Sequence, residues 1–332
     1  MVNLKGRSLL TLRDYSSDEI RFLLELSVKL KEKKRKTGSG ELLKGKNIVL
    51  LFEKTSTRTR CAFETAAFDE GGRVTYLTNS QMGKKESLED TAIILGRFYH
   101  GIAFRGFKQE TVEDLARFSG VPVWNGLTDL YHPTQALADA MTLLEGVGKP
   151  AGETKWVFCG DGRNNVAVSL MIISAKLGLH FALLCPQELS PDPGLVQEMT
   201  GLAEERGGSL WIGRDREAAL KEADAVYTDV WVSMGEEDRM EERIRLLKPY
   251  QVNRKLMALG RKGCLFLHCL PAFHDLNTGI GREVYEKYGL ESMEVTDEVF
   301  RSSGSRVFDQ AENRVHTIKA VMAATLVEPG SL

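Results

Sequence analysis

Short apolar strand-type segments alternate with longer helix-type segments along almost the whole chain, and this alternation restricts the possible folds more than any other feature. The first predicted strand, 47–52, is apolar after its first residue, as in sheets that are buried on both faces. Eight more strands follow at helix-separated intervals, at 73–77, 101–105, 121–125, 155–159, 180–185, 210–212, 225–231 and 264–270. Because parallel strands need such crossover connections, the pattern predicts doubly wound parallel α/β sheets.

The length and a change in composition indicate two domains. The chain has 332 residues, more than one hydrophobic core usually serves. A glycine-rich segment at 146–152 separates the first four predicted strands from the other five. We therefore expect two doubly wound parallel-sheet α/β domains joined by long inter-domain helices. The first comprises 1–148, with a last helix at 312–328 that packs back on it, and the second comprises 149–311.

The net charge indicates which partners the protein can bind, and the cysteine content indicates its cellular compartment. The net charge of −2 provides no basic field for nucleic acid. The five cysteines form no C-x-x-C pair, which favours reduced thiols in a cytoplasmic protein. No apolar stretch is long enough to cross a bilayer, and the N-terminus lacks the apolar region of a signal peptide. We expect a soluble protein with no membrane partner.

The segment 56–60, Ser-Thr-Arg-Thr-Arg, follows the first strand and opens a predicted helix. Backbone N–H groups and the positive end of the helix dipole favour an anion at such a position. Hydroxyl groups add further donors, and Arg58 suits the bidentate geometry of phosphate. The segment indicates a dianion site, although a Ser/Thr helix cap followed by solvated arginines has the same pattern.

Two glycines in the second half, Gly160 and Gly162, follow a strand and suggest a dinucleotide fold. However, Asn165 replaces the third glycine of that fingerprint, and the next strand ends at Cys185 without an acidic residue for a ribose. A nicotinamide cofactor is therefore disfavoured, and the sequence indicates no other cofactor. Asn165 instead offers an amide donor and acceptor at a helix start.

Two further polar groups occur where open α/β sheets collect ligands. His132 begins the sequence His-Pro-Thr-Gln at the start of a long helix, where the dipole favours a neutral imidazole that can donate to a carbonyl oxygen. Arg105 stands at the carboxyl end of a predicted strand. His132 could instead simply cap the helix, and Arg105 could simply be an exposed arginine. These residues alone do not distinguish a ligand site from these alternatives.

The segment 229–235, Asp-Val-Trp-Val-Ser-Met-Gly, lies at the end of another predicted strand. Its carboxylate, Asp229, could pair with a substrate ammonium, with Ser233 and Met234 in the loop that follows. A cap for the next helix explains this segment equally well.

The segment 268–274, His-Cys-Leu-Pro-Ala-Phe-His, contains a cysteine between two histidines. Neighbouring residues on a strand point to opposite faces, and no second Cys/His pair has zinc-like spacing, so a metal site is disfavoured. A nucleophilic Cys269 is also disfavoured, because no motif supplies a dedicated base. We favour a thiol and a backbone carbonyl that contact a substrate amine.

Together these segments resemble the aspartate/ornithine carbamoyltransferase family over essentially the whole chain. The segments 56–60, 104–106 (Phe-Arg-Gly) and 132–135 are similar to the carbamoyl phosphate half that the family shares. The segments 229–235 and 268–275 resemble the ornithine branch rather than the aspartate branch. Five motifs in order are far more specific than any one of them.

The resemblance implies transfer of a carbamoyl group from carbamoyl phosphate to the δ-amino group of L-ornithine, giving citrulline and phosphate in arginine biosynthesis or degradation. It implies catalytic roles for Arg105, His132 and Cys269. It implies that carbamoyl phosphate is bound by Ser56, Thr57, Arg58, Thr59, Gln81, Arg105, His132, Pro133, Thr134, Gln135, Cys269, Leu270 and Arg314. It implies that ornithine is bound by Asn165, Asp229, Ser233 and Met234, with the Cys269 thiol and the Leu270 carbonyl steering the side-chain amine.

The implied mechanism uses no cofactor, metal or protein base. The neutral amine attacks the carbamoyl carbon and the leaving phosphate takes its proton, while Thr59, Arg105 and His132 stabilise the tetrahedral oxyanion. Gln81 resembles a residue that a neighbouring subunit lends across an interface. The resemblance therefore implies a homo-oligomer, a trimer or an assembly of trimers, with shared active sites.

The role of one residue pair that differs from the ornithine branch is undecided, and several alternative functions are possible. Lys84 and Lys85 resemble a pair in the aspartate branch, where such lysines contact phosphate, although a surface lysine is our preferred interpretation of Lys84. The acceptor could be putrescine, lysine or an acylated ornithine, but Asp229 favours a free amino acid because an α-ammonium needs an anionic partner. A non-catalytic carbamoyl phosphate sensor and a nicotinamide dehydrogenase are the alternatives from other classes.

Overall fold

The computed structural model describes residues 2–78, 80–232 and 237–332. The chain divides into two compact units, one of residues 1–138 with 312–332 and the other of residues 139–311. The first unit contains a parallel sheet of four strands and the second a parallel sheet of five. The predicted fold class is therefore confirmed. Among the helices described, none combines the length and apolar character needed to span a membrane.

The sheet of the first unit consists of β1 (Asn47–Phe52), β2 (Arg73–Leu77), β3 (Gly101–Arg105) and β4 (Val123–Leu127). Its strand order is β2-β1-β3-β4, and every pair is parallel. β1 and β3 form the centre, and their apolar side chains are buried, as expected where helices cover both faces. The two central strands therefore end side by side at the same edge of the sheet.

Helices connect these strands, and several of them begin at side-chain caps. The helices that begin in this half are α1 (Ser17–Thr37), α2 (Thr57–Asp69), α3 (Leu88–Phe98), α4 (Gln109–Ser119) and α5 (Pro133–Val147). Ser16 and Glu19 form a capping box on α1, while Ser56 caps α2 and Ser87 caps α3. These caps satisfy backbone N–H groups that have no partner inside a helix.

The sheet of the second unit consists of β5 (Lys155–Cys159), β6 (His180–Leu184), β7 (Ser209–Gly213), β8 (Ala225–Thr228) and β9 (Leu265–His268). Its order is β7-β6-β5-β8-β9, again with parallel pairs. Val157, Ala182, Val226 and Phe266 are almost completely buried members of one core cluster on this sheet. β5 and β8 lie next to each other, so the segments that follow them start from neighbouring positions.

The remaining helices are α6 (Asn165–Leu177), α7 (Pro193–Glu205), α8 (Arg216–Leu220), α9 (Met240–Leu247), α10 (Arg254–Met257), α11 (Gly279–Tyr288), α12 (Asp297–Phe300) and α13 (Val307–Leu326). Short 3₁₀ helices are Leu12–Asp14, Ala151–Glu153, Gln187–Leu189, Glu237–Arg239, Lys248–Tyr250 and Pro329–Ser331. The boundaries between the two units fall inside α5 and α13.

Buried polar contacts fix the C-terminal part of α13 within the first unit. The Nζ atom of the fully buried Lys319 donates to Oδ2 of Asp69 at 2.8 Å. Nε1 of Trp124 donates to Oγ1 of Thr325 at 3.0 Å. A charged lysine is rarely buried without such a partner, so these contacts define where the helix lies and thereby where it places Arg314.

Most predicted strand positions are confirmed, and the differences have local causes. β1, β2, β3 and β5 have the predicted bounds. β4 begins two residues later than predicted, after Pro122, which has no N–H group to donate to the ladder. The last helix begins at Val307 rather than near residue 311.

Two strands of the second unit are shorter than predicted at their carboxyl ends. β8 stops at Thr228, and Asp229 then accepts the backbone N–H of its own neighbour Val230 at 2.8 Å. β9 stops at His268, because Leu270 adopts the left-handed conformation with φ of 58°. Both differences affect residues of the predicted site.

Candidate active site

The first group of predicted site residues lies at the carboxyl edge of the four-stranded sheet. β1 and β3 end at Phe52 and Arg105, and the segment after β4 leads to His132 just before α5. Parallel strands collect their carboxyl ends, and the helix starts that follow them, at one edge. The fold thus brings together the segments 56–60 and 132–135 with Arg105.

The start of α2 combines a helix cap with arginine side chains. Oγ of Ser56 accepts the backbone N–H of Thr59 at 3.2 Å, so Ser56 caps α2. Thr59 is fully buried, and its Oγ1 accepts a hydrogen bond from Nη2 of Arg314 at 2.8 Å. Thr57 is exposed and Arg58 is half-buried. Positive charge therefore accumulates at a helix N-terminus, where an anion is favoured.

Burial and neighbouring charge keep the His132 imidazole neutral. The side chain is buried, with 4% of its surface exposed. Its pKa lies well below the ordinary value because burial disfavours the imidazolium, and the charges of Arg314, Arg105 and Arg58 disfavour it further. Oγ1 of Thr134 lies 3.4 Å from its Nδ1 atom. A neutral imidazole in such positive surroundings can donate a hydrogen bond to an oxygen that carries developing negative charge.

We expect the His132 imidazole to stay neutral when the pH falls from 8 to 6. In the unfolded chain the same group takes up a proton near its ordinary pKa of about 6.5. The unfolded state then binds more protons than the folded state, so this group lowers the free energy of unfolding as the pH falls below that value. The NMR signal of the imidazole, assigned by its loss in His132→Gln, should not move over this range in the folded protein. A titration midpoint near pH 6.5 would contradict the assigned environment.

The other predicted residues of this half lie in two different places. Pro133, Thr134 and Gln135 are buried in the first turn of α5, next to His132 in the chain. Gln81 is exposed, and its backbone carbonyl accepts N–H groups from residues 84–86 of its own turn. The hydrogen bonds of the Gln81 carbonyl thus lie within its own turn.

The second group of predicted residues lies at the carboxyl edge of the five-stranded sheet. Oδ1 of the buried Asp229 lies 2.9 Å from Sγ of Cys269, and Oδ2 accepts a hydrogen bond from Nδ2 of Asn164 at 3.0 Å. Asn164 also caps α6, whose first residue is the half-buried Asn165. The structure therefore brings Asp229 and Cys269 together, and Asn165 follows Asn164 directly in the chain.

The contribution of Asn164 was missed in the sequence. One amide accepts the N–H groups of Val166 and Ala167 through Oδ1, while its Nδ2 donates to Asp229. Two consecutive asparagines at a helix start are the signal that could have revealed it, because the first of them takes the cap position and is fixed there.

The prediction that His268 and Cys269 point to opposite faces of one strand is wrong, because the strand ends at His268. The left-handed Leu270 turns the chain, and one donor atom each of Asp229, His268 and Cys269 lie within 4.8 Å of one another. Nδ1 of His268 already accepts the Leu270 N–H at 2.9 Å, so that nitrogen is not available as a metal ligand.

A buried arginine, Arg243, contacts the end of the 229–232 segment. Nε of Arg243 donates to the Trp231 carbonyl at 2.9 Å, and its Nη2 forms an ion pair with Asp161. This side chain links the end of the 229–232 segment to the loop after β5. Ser233 and Met234 themselves lie outside the described residues.

The cysteines of the second sheet's core are not suited to nucleophilic chemistry. Burial raises the pKa of Cys185 to about 11 and that of Cys264 to about 12. Burial also raises the pKa of Cys159. A thiol needs a lowered pKa to be a reactive thiolate near pH 7, so these three side chains act as apolar groups.

Comparisons with known proteins cover both halves of the chain. Residues 7–145 match the family described as aspartate/ornithine carbamoyltransferase, carbamoyl-P binding domain, and residues 152–325 match its Asp/Orn binding domain. A protein of Clostridium perfringens named "Ornithine carbamoyltransferase, catabolic" is 58% identical over 326 residues, covering 98% of each chain. One of Bacillus licheniformis with the same name is 59% identical over 328 residues and 98% of each chain.

A solved structure agrees with these sequence matches. The ornithine carbamoyltransferase from Pyrococcus furiosus superposes with a TM-score of 0.89 at 41% identity, covering 98% of this chain and 99% of that one. The similarity therefore extends over the full length in both sequence and fold.

Proposed function

The chain belongs to the aspartate/ornithine carbamoyltransferase family, and we propose that it transfers the carbamoyl group of carbamoyl phosphate to the δ-amino group of L-ornithine. The products are L-citrulline and phosphate, in arginine biosynthesis or degradation. The observation that carries this function is the pair of half-sites, a neutral His132 among three arginines in one unit and an Asp229–Cys269 pair in the other. The first suits a phosphorylated carbonyl compound, and the second suits an amino acid with a side-chain amine.

The phosphate of carbamoyl phosphate binds at the start of α2. The backbone N–H groups of the first turn, the hydroxyls of Ser56, Thr57 and Thr59, and the guanidinium of Arg58 provide donors for its oxygens. Arg314 contributes from α13, where its contact with Thr59 already directs it to this helix start. Two arginines and a helix N-terminus match the charge of a phosphate dianion.

The carbamoyl end binds at Arg105, His132 and the 133–135 segment. Attack on the carbamoyl carbon moves negative charge to the carbonyl oxygen, and Arg105, His132 and Thr59 donate to that oxygen. A single donor of this kind contributes about 3–4 kcal/mol of transition-state stabilisation in other enzymes. A neutral His132 serves this purpose because its remaining N–H can donate while the ring stays uncharged.

Ornithine binds at the carboxyl edge of the second sheet. The Asp229 carboxylate is buried and pairs with an ammonium group, while Asn165 binds the carboxylate end of the amino acid, with Ser233 and Met234 in the adjoining loop. The Cys269 thiol and the Leu270 carbonyl accept hydrogen bonds from the δ-amino group and orient its lone pair. Orientation of two bound reactants removes much of the entropic barrier.

The reaction needs no protein base, metal or cofactor. The nitrogen–carbon bond forms as the neutral amine attacks, and the carbon–oxygen bond to phosphate breaks as the tetrahedral intermediate collapses. The departing phosphate takes the proton that the amine loses. All atoms and charges are then accounted for by the two substrates, so positioning and electrostatics supply the catalysis.

Assembly and compartment extend this proposal. The exposed Gln81 reaches the carbamoyl phosphate site of a neighbouring subunit, so the enzyme works as a homotrimer or an assembly of trimers. Free cysteines, both exposed and buried, suit the reducing cytoplasm. Lys84 is exposed beside Gln81 and is a surface residue in this proposal.

The acceptor preference tests the function. Carbamoyl phosphate is offered with ornithine, putrescine, lysine, aspartate or N-acetylornithine in separate assays, and each product is identified by mass. We expect fast citrulline formation with ornithine and about 100-fold lower kcat/KM with N-acetylornithine, because it has no α-ammonium group and leaves Asp229 unpaired. Preference for another amine would overturn the ornithine half, and no turnover with any acceptor would favour a carbamoyl phosphate sensor.

A further inference from the structure

A completely buried carboxylate, Glu294, lies behind the Cys269–Leu270 segment and has no part in the mechanism above. Both Glu294 and His268 have 0% of their surface exposed. Oε1 of Glu294 accepts the backbone N–H of Phe273 at 2.6 Å and lies 3.3 Å from Nε2 of His268. Burial of a carboxylate is costly unless its oxygens are engaged. One oxygen atom thus contacts both ends of the chain segment 268–273, which we call the 268–273 turn.

The hydrogen bond to Leu270 sets the protonation of the His268 ring. Nδ1 accepts the backbone N–H of Leu270 at 2.9 Å, so it carries no proton. A neutral ring must then carry its proton on Nε2, which is the atom that faces Glu294. At 3.3 Å this contact is long for a hydrogen bond, and its attraction is mainly electrostatic. Glu294 therefore favours the tautomer that lets His268 hold Leu270.

The conformation of Leu270 needs such support. Its φ of 58° lies in the left-handed region, which is unfavourable for a residue other than glycine. An unsupported turn would relax toward a commoner backbone conformation. The carbonyl of Leu270 would then change direction relative to the thiol of Cys269, because the two groups lie on opposite sides of the N–Cα bond whose rotation is this φ.

The segment that carries Glu294 is itself fixed by backbone pairing. The Met293 N–H donates to the Phe273 carbonyl at 2.8 Å, so Phe273 is paired on both of its backbone groups. The Val252 N–H donates to the Glu294 carbonyl at 2.8 Å, and Val252 also pairs with Val295. Glu294 therefore projects from a backbone segment whose position is fixed by hydrogen bonds.

The other end of the turn is fixed through His268. Its backbone N–H donates to Oε1 of the buried Gln310 at 3.0 Å. Nε2 of Gln310 donates to Asp139 at 2.6 Å and to the hydroxyl of Tyr227 at 3.0 Å. These hydrogen bonds fix the position of the end of β9. Within the 268–273 turn that follows, the contacts of Glu294 fix the backbone.

We propose that Glu294 is a positioning residue, which through His268 and Phe273 holds the 268–273 turn in the shape that presents the Leu270 carbonyl and the Cys269 thiol to the substrate amine. This inference rests on the proposed carbamoyl transfer to ornithine. Glu294 touches neither substrate. Its effect is confined to the amine-binding half, because all of its partners belong to residues 252–295.

The test compares Glu294→Leu with Glu294→Gln. Leucine removes the acceptor oxygen, whereas glutamine can place its carbonyl oxygen at the position of Oε1 and keep both contacts. We expect Glu294→Leu to raise the KM for ornithine by roughly 10- to 100-fold, the effect of displacing a binding group by about 1 Å. The KM for carbamoyl phosphate should change less than about twofold. Glu294→Gln should recover most of the ornithine KM.

A second pair of variants tests the same idea if Glu294→Leu does not fold. Asparagine at position 268 can place an acceptor oxygen where Nδ1 lies, and glutamine places one where Nε2 lies. His268→Asn should therefore keep the hydrogen bond from the Leu270 N–H. Its KM for ornithine should be lower than that of His268→Gln. Circular dichroism and the unfolding temperature of each variant show whether the fold is intact.

The outcomes separate this proposal from the proposed function. If the parent enzyme does not carbamoylate ornithine, the function itself fails. If the parent does so but Glu294→Leu folds and keeps both KM values, the positioning role is wrong. Two results would show that Glu294 only stabilises the fold. One is an equal rise of both KM values in Glu294→Leu. The other is an ornithine KM that Glu294→Gln does not recover, together with equal ornithine KM values for His268→Asn and His268→Gln.

Discussion

Replacement of Arg58 by alanine is expected to raise the KM for carbamoyl phosphate by about 100-fold while the KM for ornithine changes little. Arg58 is half-buried in the first turn of α2, and its charge is one of three that act on His132. Loss of charge-assisted hydrogen bonds to a phosphate costs about 3 kcal/mol, which corresponds to that change in affinity. Initial rates with each substrate varied in turn measure the two KM values.

Arg60 provides a matched control on the same helix. It is exposed, its Nε donates to Glu64 at 2.9 Å, and its guanidinium lies 3.9 Å from the centre of the Tyr76 ring. Arg60→Ala removes the same kind of charge two residues away and should leave the KM for carbamoyl phosphate within about threefold, because a surface pair contributes little. An Arg58→Ala enzyme whose KM for carbamoyl phosphate changes as little as that of Arg60→Ala would show that Arg58 does not bind the phosphate.

Replacement of Asp229 by asparagine is expected to raise the KM for ornithine by about 100-fold and to leave binding of carbamoyl phosphate intact. The side chain is buried between Asn164 and Cys269, and asparagine keeps its shape but removes its charge. An ammonium group that loses its buried anionic partner loses about 2–5 kcal/mol of binding free energy. Steady-state kinetics with ornithine, and direct titration with carbamoyl phosphate alone, measure the two effects.

Asp215→Asn is the control for this change. Asp215 caps α8 by accepting the N–H groups of Glu217 and Ala218, and asparagine caps helices equally well. This variant makes the same chemical change in the same unit and should behave like the parent enzyme. An unchanged ornithine KM in Asp229→Asn would remove the carboxylate from the amino acid site.

Strands such as β1, β3 and β5 were predictable from the sequence because their apolar runs are buried. β1, β2, β3 and β5 have the predicted bounds, since glycine and polar residues end each run. β8 and β9 were predicted too long, because apolar residues such as Val230 and Leu270 continue the pattern beyond the ladder. The backbone turns there for reasons of hydrogen bonding and φ that a hydrophobic pattern does not record.

The residues at the start of α2 and α5 could be predicted because their role depends on a local helix N-terminus. The positions of Asn164, Arg243 and Glu294 could not be read in the same way. Each acts through a partner far along the chain, Asp229, Asp161 and His268 respectively. Only the folded sheet brings these pairs together, and a buried polar residue has no sequence period of its own.

Each half-site is assigned to one substrate, and a crystal structure with a ligand that combines both substrates checks this assignment. The ligand is L-ornithine with a phosphonoacetyl group on its δ-nitrogen. One molecule then contains the phosphonate, the carbonyl group and the amino acid with its free α-ammonium. A crystal structure of this complex should place the phosphonate at Arg58 and the start of α2, the carbonyl oxygen at Arg105 and His132, and the α-ammonium at Asp229. A phosphonate bound away from α2, or an ornithine end that does not contact Asp229, would contradict the account.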